Sequence, residues 1–124
     1  MEKYFCNYNQ SLALKELGFN EICFATFDSD KWFDIQDFGQ NYDTFPSHII
    51  AAPLKSQVFD WFRREHKLDG WAVPCYTSEG KFYSFIIENG EESTEINSFY
   101  DDFQKHEEAE SACIDKLIEI VKNK

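Results

Sequence analysis

Apolar residues recur at helical spacing in two stretches of the chain, Ala52–Leu68 and His106–Lys122. The first stretch is APLKSQVFDWFRREHKL and the second is HEEAESACIDKLIEIVK, and in each the apolar side chains fall on one face. Pro53 suits the first turn of the earlier helix, and Asp69-Gly70 is a stop signal after it. Acidic residues from Glu107 onward suit the positive end of the later helix dipole. The pattern predicts two long amphipathic helices.

A shorter apolar face over Gln10–Leu17 predicts a third helix, with Asn9 as its N-terminal cap and Gly18 as its stop. Two pairs of strand-like stretches, each pair joined by a polar turn, predict two β-hairpins. The first turn is expected at Asp28-Ser29-Asp30-Lys31 and the second at Thr77-Ser78-Glu79-Gly80. The four strands are expected at Glu21–Asp28, Trp32–Gln36, Trp71–Tyr76 and Lys81–Glu88.

Two of these strands have sequences that indicate their place in a sheet. Pro74 has no backbone N–H to donate, so its strand is expected at a sheet edge or at a bulge. In Lys81–Glu88 both alternating sets are apolar, which predicts a strand covered on both faces, with an exposed aromatic patch as the alternative. The remaining segments are interpreted as loops at Phe38–Ile50 and Asn89–Asn97, with short extended stretches at His48–Ala51 and Ser98–Phe103.

The predicted order is therefore helix, hairpin, helix, hairpin, helix, within a single globular domain of residues 1–124. A chain of 124 residues is long enough to bury a core without disulfides or metal. We expect an α+β fold in which an antiparallel sheet of about four strands has the helices packed on one face.

Three segments carry a family resemblance: LKELGFNEICFATF, APLKSQVFDWFRREHKL and EEAESACIDKLIEIVKNK. They resemble a family of short uncharacterised proteins from Bacteroides-type gut bacteria and their phages or prophages. Its middle helix opens with Ala-Pro and contains Trp-Phe-Arg, and its last helix opens with Glu-Glu-Ala and ends in an aliphatic run. Lys105 departs from the Ser or Thr expected to cap that last helix. The resemblance implies a cytoplasmic, phage-related protein and transfers no catalytic residue.

Acidic residues outnumber basic ones by 23 to 12, which gives a formal net charge of −11. Nine carboxylates lie between Glu88 and Glu110 against the single base Lys105, and five lie between Asp28 and Asp43 against Lys31. Such a balance repels phosphate backbones and argues against a nucleic-acid partner. The first interpretation is a solvated acidic face; the alternative is a surface that imitates DNA or meets a basic partner.

The sequence contains no recognisable catalytic, cofactor-binding or metal-binding motif. Asp28 and Asp30 could hold a divalent cation loosely, although acidic residues are also ordinary turn formers. Cys75 with His66 is a conceivable nucleophile pair, and a core thiol with a surface imidazole is the favoured interpretation. Widely spaced cysteines and the lack of a leader or membrane span predict a reduced, cytoplasmic protein. The cysteines are Cys6, Cys23, Cys75 and Cys113.

Thirteen Phe, six Tyr and three Trp exceed the needs of a small core, so some of them are expected on a surface. Trp, Tyr and Arg are common at protein interfaces, although core packing and solvation are the alternative roles. The candidate partner surface consists of Trp61, Arg63, Arg64, Trp71, Tyr76 and Tyr83. We expect a non-enzymatic protein-binding or regulatory module without a cofactor. The alternatives are a DNA-mimic or anti-defence protein and an enzyme with an unrecognised site.

Overall fold

The computed structural model describes residues 1–40, 46–98 and 103–124, with the backbone alone at 37–40. This part of the chain is α+β, with three α-helices and two three-stranded antiparallel sheets after a 3-10 turn at Glu2–Tyr4. The helices are α1 (Tyr8–Glu16), α2 (Lys55–His66) and α3 (His106–Lys122). The strands are β1 (Cys23–Phe27), β2 (Phe33–Gln40), β3 (Ile50–Ala52), β4 (Leu68–Thr77), β5 (Gly80–Asn89) and β6 (Thr94–Asn97).

The prediction of one sheet with about four strands is wrong, because the two hairpins belong to separate sheets. The strand orders are β2-β1-β3 and β4-β5-β6, so each hairpin gains a third strand from the segment that follows it. β3 overlaps the extended stretch expected at His48–Ala51, whereas β6 lies in the stretch interpreted as a loop. Strands of three and four residues are too short to show a period of two in the sequence. Most of the Ser98–Phe103 stretch lies outside the described residues.

The described chain divides into two compact units, Met1–Gln57 and Val58–Lys124. The first contains α1 and the sheet β2-β1-β3, and the second contains the sheet β4-β5-β6 and α3. In the first unit α1 packs on β3, and in the second α3 packs on β4 and β5. The single-domain organisation stays a prediction.

The cap of α1 is Asn7, and the prediction of Asn9 is wrong. The Asn7 side-chain oxygen accepts a hydrogen bond from the Gln10 backbone N–H at 2.8 Å. In return, the Gln10 side-chain oxygen accepts from the Asn7 backbone N–H at 3.0 Å. This reciprocal capping box needs a Gln or Glu three residues after the cap, which Asn7 has and Asn9 lacks, since Leu12 stands there.

Both ends of α2 differ from the prediction. The helix starts after Pro53, because Leu54 is bridged to Phe5 and the Pro53 carbonyl accepts a hydrogen bond from the Cys6 N–H at 2.9 Å. It ends before Lys67, whose φ of 54° lies in the left-handed region. The expected stop residue Gly70 is instead part of β4.

Aromatic rings fill the core of the first unit. The Phe33 ring lies 5.2 Å from Phe5 and 5.6 Å from Phe27, between ring centroids. Ala25 and Ala52 are paired across β1 and β3, and these small side chains leave room for the neighbouring rings. The buried set is Phe5, Ala25, Phe27, Ile50 and Ala52, with Tyr8, Leu12, Phe33 and Leu54 packed against it.

The second hairpin agrees with the sequence analysis. β4 and β5 pair without interruption from Leu68 and Asn89 to Thr77 and Gly80. β4 is an edge strand, which confirms the prediction from Pro74, and β5 is the central strand of its sheet. The bounds predicted for α3 are also confirmed, although its cap residue, Lys105, makes no side-chain capping bond.

Gly70 allows α3 to approach the sheet closely. A Cβ atom at this position would lie 2.9 Å from the Cys113 Sγ and 3.3 Å from the Leu117 Cδ1. Gly70 pairs with Ile87, whose side chain is fully buried on the same face of the sheet. The helix therefore packs against the strand backbone itself, and only glycine fits there without a shift.

We expect Asn7→Ala to lower the free energy of unfolding by about 1 kcal/mol, because the Gln10 N–H loses its acceptor. The matched control is Asn9→Ala, an exposed position inside α1 where alanine is the better helix former. Urea denaturation of the three proteins measures both changes. Equal losses in the two variants would contradict the assignment of the cap.

We expect Gly70→Ala to lower the free energy of unfolding by about 1–3 kcal/mol, through overpacking against α3. Cys113→Ala removes the nearest clashing atom, so the double variant should lose less stability than the sum of the two single variants. Denaturation of the wild type and the three variants measures this coupling. Strict additivity would show that α3 does not contact Gly70 as described.

Candidate functional site

The structure places Trp61 in the interior. Its side chain is only 5% exposed, and its ring centroid lies 5.0 Å from Phe62 and 4.9 Å from His66. Trp61 therefore takes the core-packing role that was the alternative to an interface role.

Arg63 and Arg64 are exposed and form ion pairs within their own unit. Arg63 Nε lies 3.1 Å from Asp69 Oδ1, and Arg64 Nε lies 2.8 Å from Asp60 Oδ2. Arg63 Nη1 also lies 3.5 Å from Asp60 Oδ1, so Asp60 pairs with both arginines. Exposed pairs of this kind contribute little to stability.

Tyr76 and Tyr83 lie together at the end of the second hairpin, whereas Trp71 lies on the other face of the sheet. The Lys81 Nζ is 5.6 Å from the Tyr76 ring centroid and 5.1 Å from that of Tyr83. A hydrogen bond with Tyr83, and then the charges of the two tyrosines, raise the pKa of Lys81. Tyr76 is 75% exposed, while Tyr83 is half-buried against the His106 ring. The six predicted surface residues thus do not share one surface.

Cys75 and His66 are not brought together as a nucleophile pair. The Cys75 thiol donates to the Ser84 hydroxyl at 3.4 Å, and His66 packs on aromatic rings of α2. None of the four cysteines, all of which lie in the described part of the chain, forms a disulfide. Burial raises the pKa of Cys23 and of Cys113 to about 12, which holds both in the unreactive protonated form. Across residues 1–40, 46–98 and 103–124, no three His, Cys, Asp or Glu side chains converge as a metal site.

The sequence analysis missed a cavity of about 560 Å³ in the first unit. It lies beside the turn of the first hairpin, on β1 and β2 and the residue before β3. We name it the hairpin cleft, and its lining residues are Thr26, Asp28, Trp32, Phe33, Asp34, Gln36 and Ile49.

Asp28 shapes the turn beside this cleft. Its Oδ1 atom accepts hydrogen bonds from the backbone N–H of Asp30 at 2.8 Å and of Trp32 at 3.0 Å. Lys31 adopts the left-handed region with φ 65°, and its N–H donates to the Asp28 carbonyl at 2.9 Å. The turn expected at these residues is confirmed. The second carboxylate oxygen of Asp28 takes no part in these two hydrogen bonds.

Gln36 orders the polar wall of the cleft. Its side-chain nitrogen donates to the Thr26 hydroxyl at 3.3 Å and to Asp34 Oδ2 at 3.1 Å. Thr26 and Asp34 are paired across β1 and β2, so the three side chains lie on one face of the sheet. Asp34 Oδ1 and the side-chain carbonyl oxygen of Gln36 take no part in these two hydrogen bonds.

The cleft combines hydrogen-bond acceptors with an exposed indole. Trp32 is 72% exposed, and Asp28 and Asp34 each accept internal hydrogen bonds through one carboxylate oxygen. The neighbouring cation Lys31 has its Nζ 5.1 Å from the Tyr8 ring centroid. Carboxylates and an aromatic face bind ligands that carry positive charge and N–H donors.

No family model, curated protein or solved structure matches this chain. The resemblance to the family of gut bacteria and their phages therefore stays a prediction. None of the described helices has the length and apolar character needed to cross a membrane.

We expect His66 to make the protein less stable as the pH falls. Burial, and then the Lys124 ammonium, lower the pKa of His66, although Glu65 and Glu91 oppose this. The unfolded chain therefore takes up the proton first, and the free energy of unfolding decreases as the pH falls through the ordinary histidine pKa of about 6.5. Above that pH the imidazole is neutral in both the folded and the unfolded chain, so it no longer makes the free energy of unfolding depend on pH.

Denaturation at about pH 7.5 and about pH 5.5 measures the effect, and His66→Gln should reduce the difference between the two. Lys124→Gln should raise the pKa of His66 in an NMR titration, because it removes a repelling charge. An unchanged pH dependence in His66→Gln would disprove the assignment.

Proposed function

We propose that this protein is a non-enzymatic binding module that recognises a cationic segment of a partner protein through the hairpin cleft. The observation that carries the proposal is the exposed indole of Trp32, at 72%, in one cavity with the carboxylates of Asp28 and Asp34. An indole and carboxylates attract the same ligand group, because the face of the ring and the anionic oxygens both favour a cation.

The net charge supports a basic partner. A formal charge of −11 attracts cationic chains over long range and repels anionic ones. Such steering raises the association rate, whereas short-range contacts determine which surface is occupied. Trp is among the residue types that contribute most to binding at interfaces, which favours the cleft over the other acidic surfaces.

The size of the cleft also fits this role. Small-ligand and side-chain pockets typically measure about 300–1,000 Å³, and the cleft measures about 560 Å³. Its polar groups are already fixed by the turn at Asp28 and by the Gln36 amide, so binding does not have to order them.

The test is titration of the protein with a blocked peptide that contains alternating Lys and Arg, and with its Gln-substituted counterpart. We expect the cationic peptide alone to bind, and Trp32→Ala or Asp34→Asn to weaken it by about tenfold, the equivalent of about 1.4 kcal/mol. Isothermal calorimetry at fixed ionic strength gives the dissociation constants. Raising the salt concentration should weaken the binding further.

Two control variants match these substitutions. Tyr76→Ala removes an equally exposed aromatic residue, at 75%, from the second hairpin, and Asp30→Asn removes a turn carboxylate that does not line the cleft. Both should bind the peptide as the wild type does. Equal losses in Trp32→Ala and Tyr76→Ala, or no binding of the cationic peptide at all, would overturn the proposal.

A further inference from the structure

We infer that the group which the hairpin cleft selects is the guanidinium of an arginine, in preference to the ammonium of a lysine. This inference rests on the proposed function and specifies the chemistry of the same site. It follows from the number and the fixed placement of the acceptor atoms in the cleft, and from the flat face of Trp32.

Three acceptor atoms of residues that line the cleft take no part in the hydrogen bonds that hold these side chains: Asp28 Oδ2, Asp34 Oδ1 and the side-chain carbonyl oxygen of Gln36. The other carboxylate oxygen of Asp28 accepts a hydrogen bond from the Trp32 backbone N–H in the turn. The other carboxylate oxygen of Asp34 accepts a hydrogen bond from the Gln36 side-chain amide. These internal hydrogen bonds therefore fix the positions of both carboxylates. A guanidinium offers five N–H donors in a rigid planar fork, whereas an ammonium is a compact point charge.

The indole of Trp32 favours the same choice. Trp32 is 72% exposed and lines the same cavity as Asp28 and Asp34, so a planar guanidinium that stacks on the indole lies in a cavity that carboxylates also line. An ammonium is more strongly hydrated and has no flat face, so it cannot make both contacts in this way. Gln36 is a positioning residue here, because it orients Asp34 and presents its own carbonyl oxygen.

The experiment uses three blocked peptides, acetyl-Gly-X-Gly-X-Gly-amide, in which X is arginine, lysine or citrulline. Citrulline has nearly the shape of arginine without its charge. The readout is the indole N–H signal of Trp32 in NMR spectra of the full chain, assigned with Trp32→Phe. We expect saturable shifts with arginine, dissociation constants about threefold to tenfold higher with lysine, and no saturable shift with citrulline.

A second variant tests the positioning role directly. Gln36→Leu should reduce the preference for arginine over lysine towards unity, because Asp34 loses its orienting donor and the cleft loses one acceptor. The spectrum of this variant away from the cleft shows whether it keeps its fold. An unchanged preference would show that the acceptor geometry does not determine selectivity.

The outcomes separate this inference from the proposed function. Equal binding of the arginine and lysine peptides overturns the choice of arginine and leaves the cationic site in place. Shifts with citrulline equal to those with arginine overturn both, since charge then plays no part. Absence of binding by both cationic peptides also overturns both.

Discussion

Two hydrogen bonds to one oxygen of Asp28 hold the turn of the first hairpin, and the hairpin cleft depends on them. They fix the backbone of Asp30 and Trp32, so they set where β2 begins and where the indole emerges. Asp28 is also one of the residues that line the cleft. Because one residue shapes the turn and contributes to the site, Asp34 and Trp32 are better probes of binding than Asp28.

Elements with strong local signals were predictable from the sequence. The bounds of α3, both hairpins and the edge position of β4 follow from apolar period, polar turns and a proline without an N–H. β3 and β6 were not predictable, because a segment of three or four residues is too short to show an alternating pattern. Each of them is a strand because it pairs with a neighbouring strand. The cross-strand pairing of Ala25 with Ala52, and of Ile87 with Ile96, is visible only in the folded structure.

The candidate site was less predictable, because residue type does not reveal exposure. Trp61 and Trp32 both stand beside phenylalanine in the sequence, yet one is 5% and the other 72% exposed. A usable signal was present at Trp32, which directly follows a turn of polar residues and precedes the alternation Phe-Asp-Ile-Gln. That alternation puts Asp34 and Gln36 on one face, and the turn next to them adds Asp28.

The cations of this acidic chain also bear on the site. Lys31 lies over the Tyr8 ring, Lys81 lies over two tyrosine rings, and Arg63 is paired with aspartates. Of these cations, only Lys31 belongs to the unit that contains the hairpin cleft. Solvent cations or a ligand can balance the charge of the carboxylates in the hairpin cleft. A planar cation can balance this charge and cover the exposed indole of Trp32 at the same time.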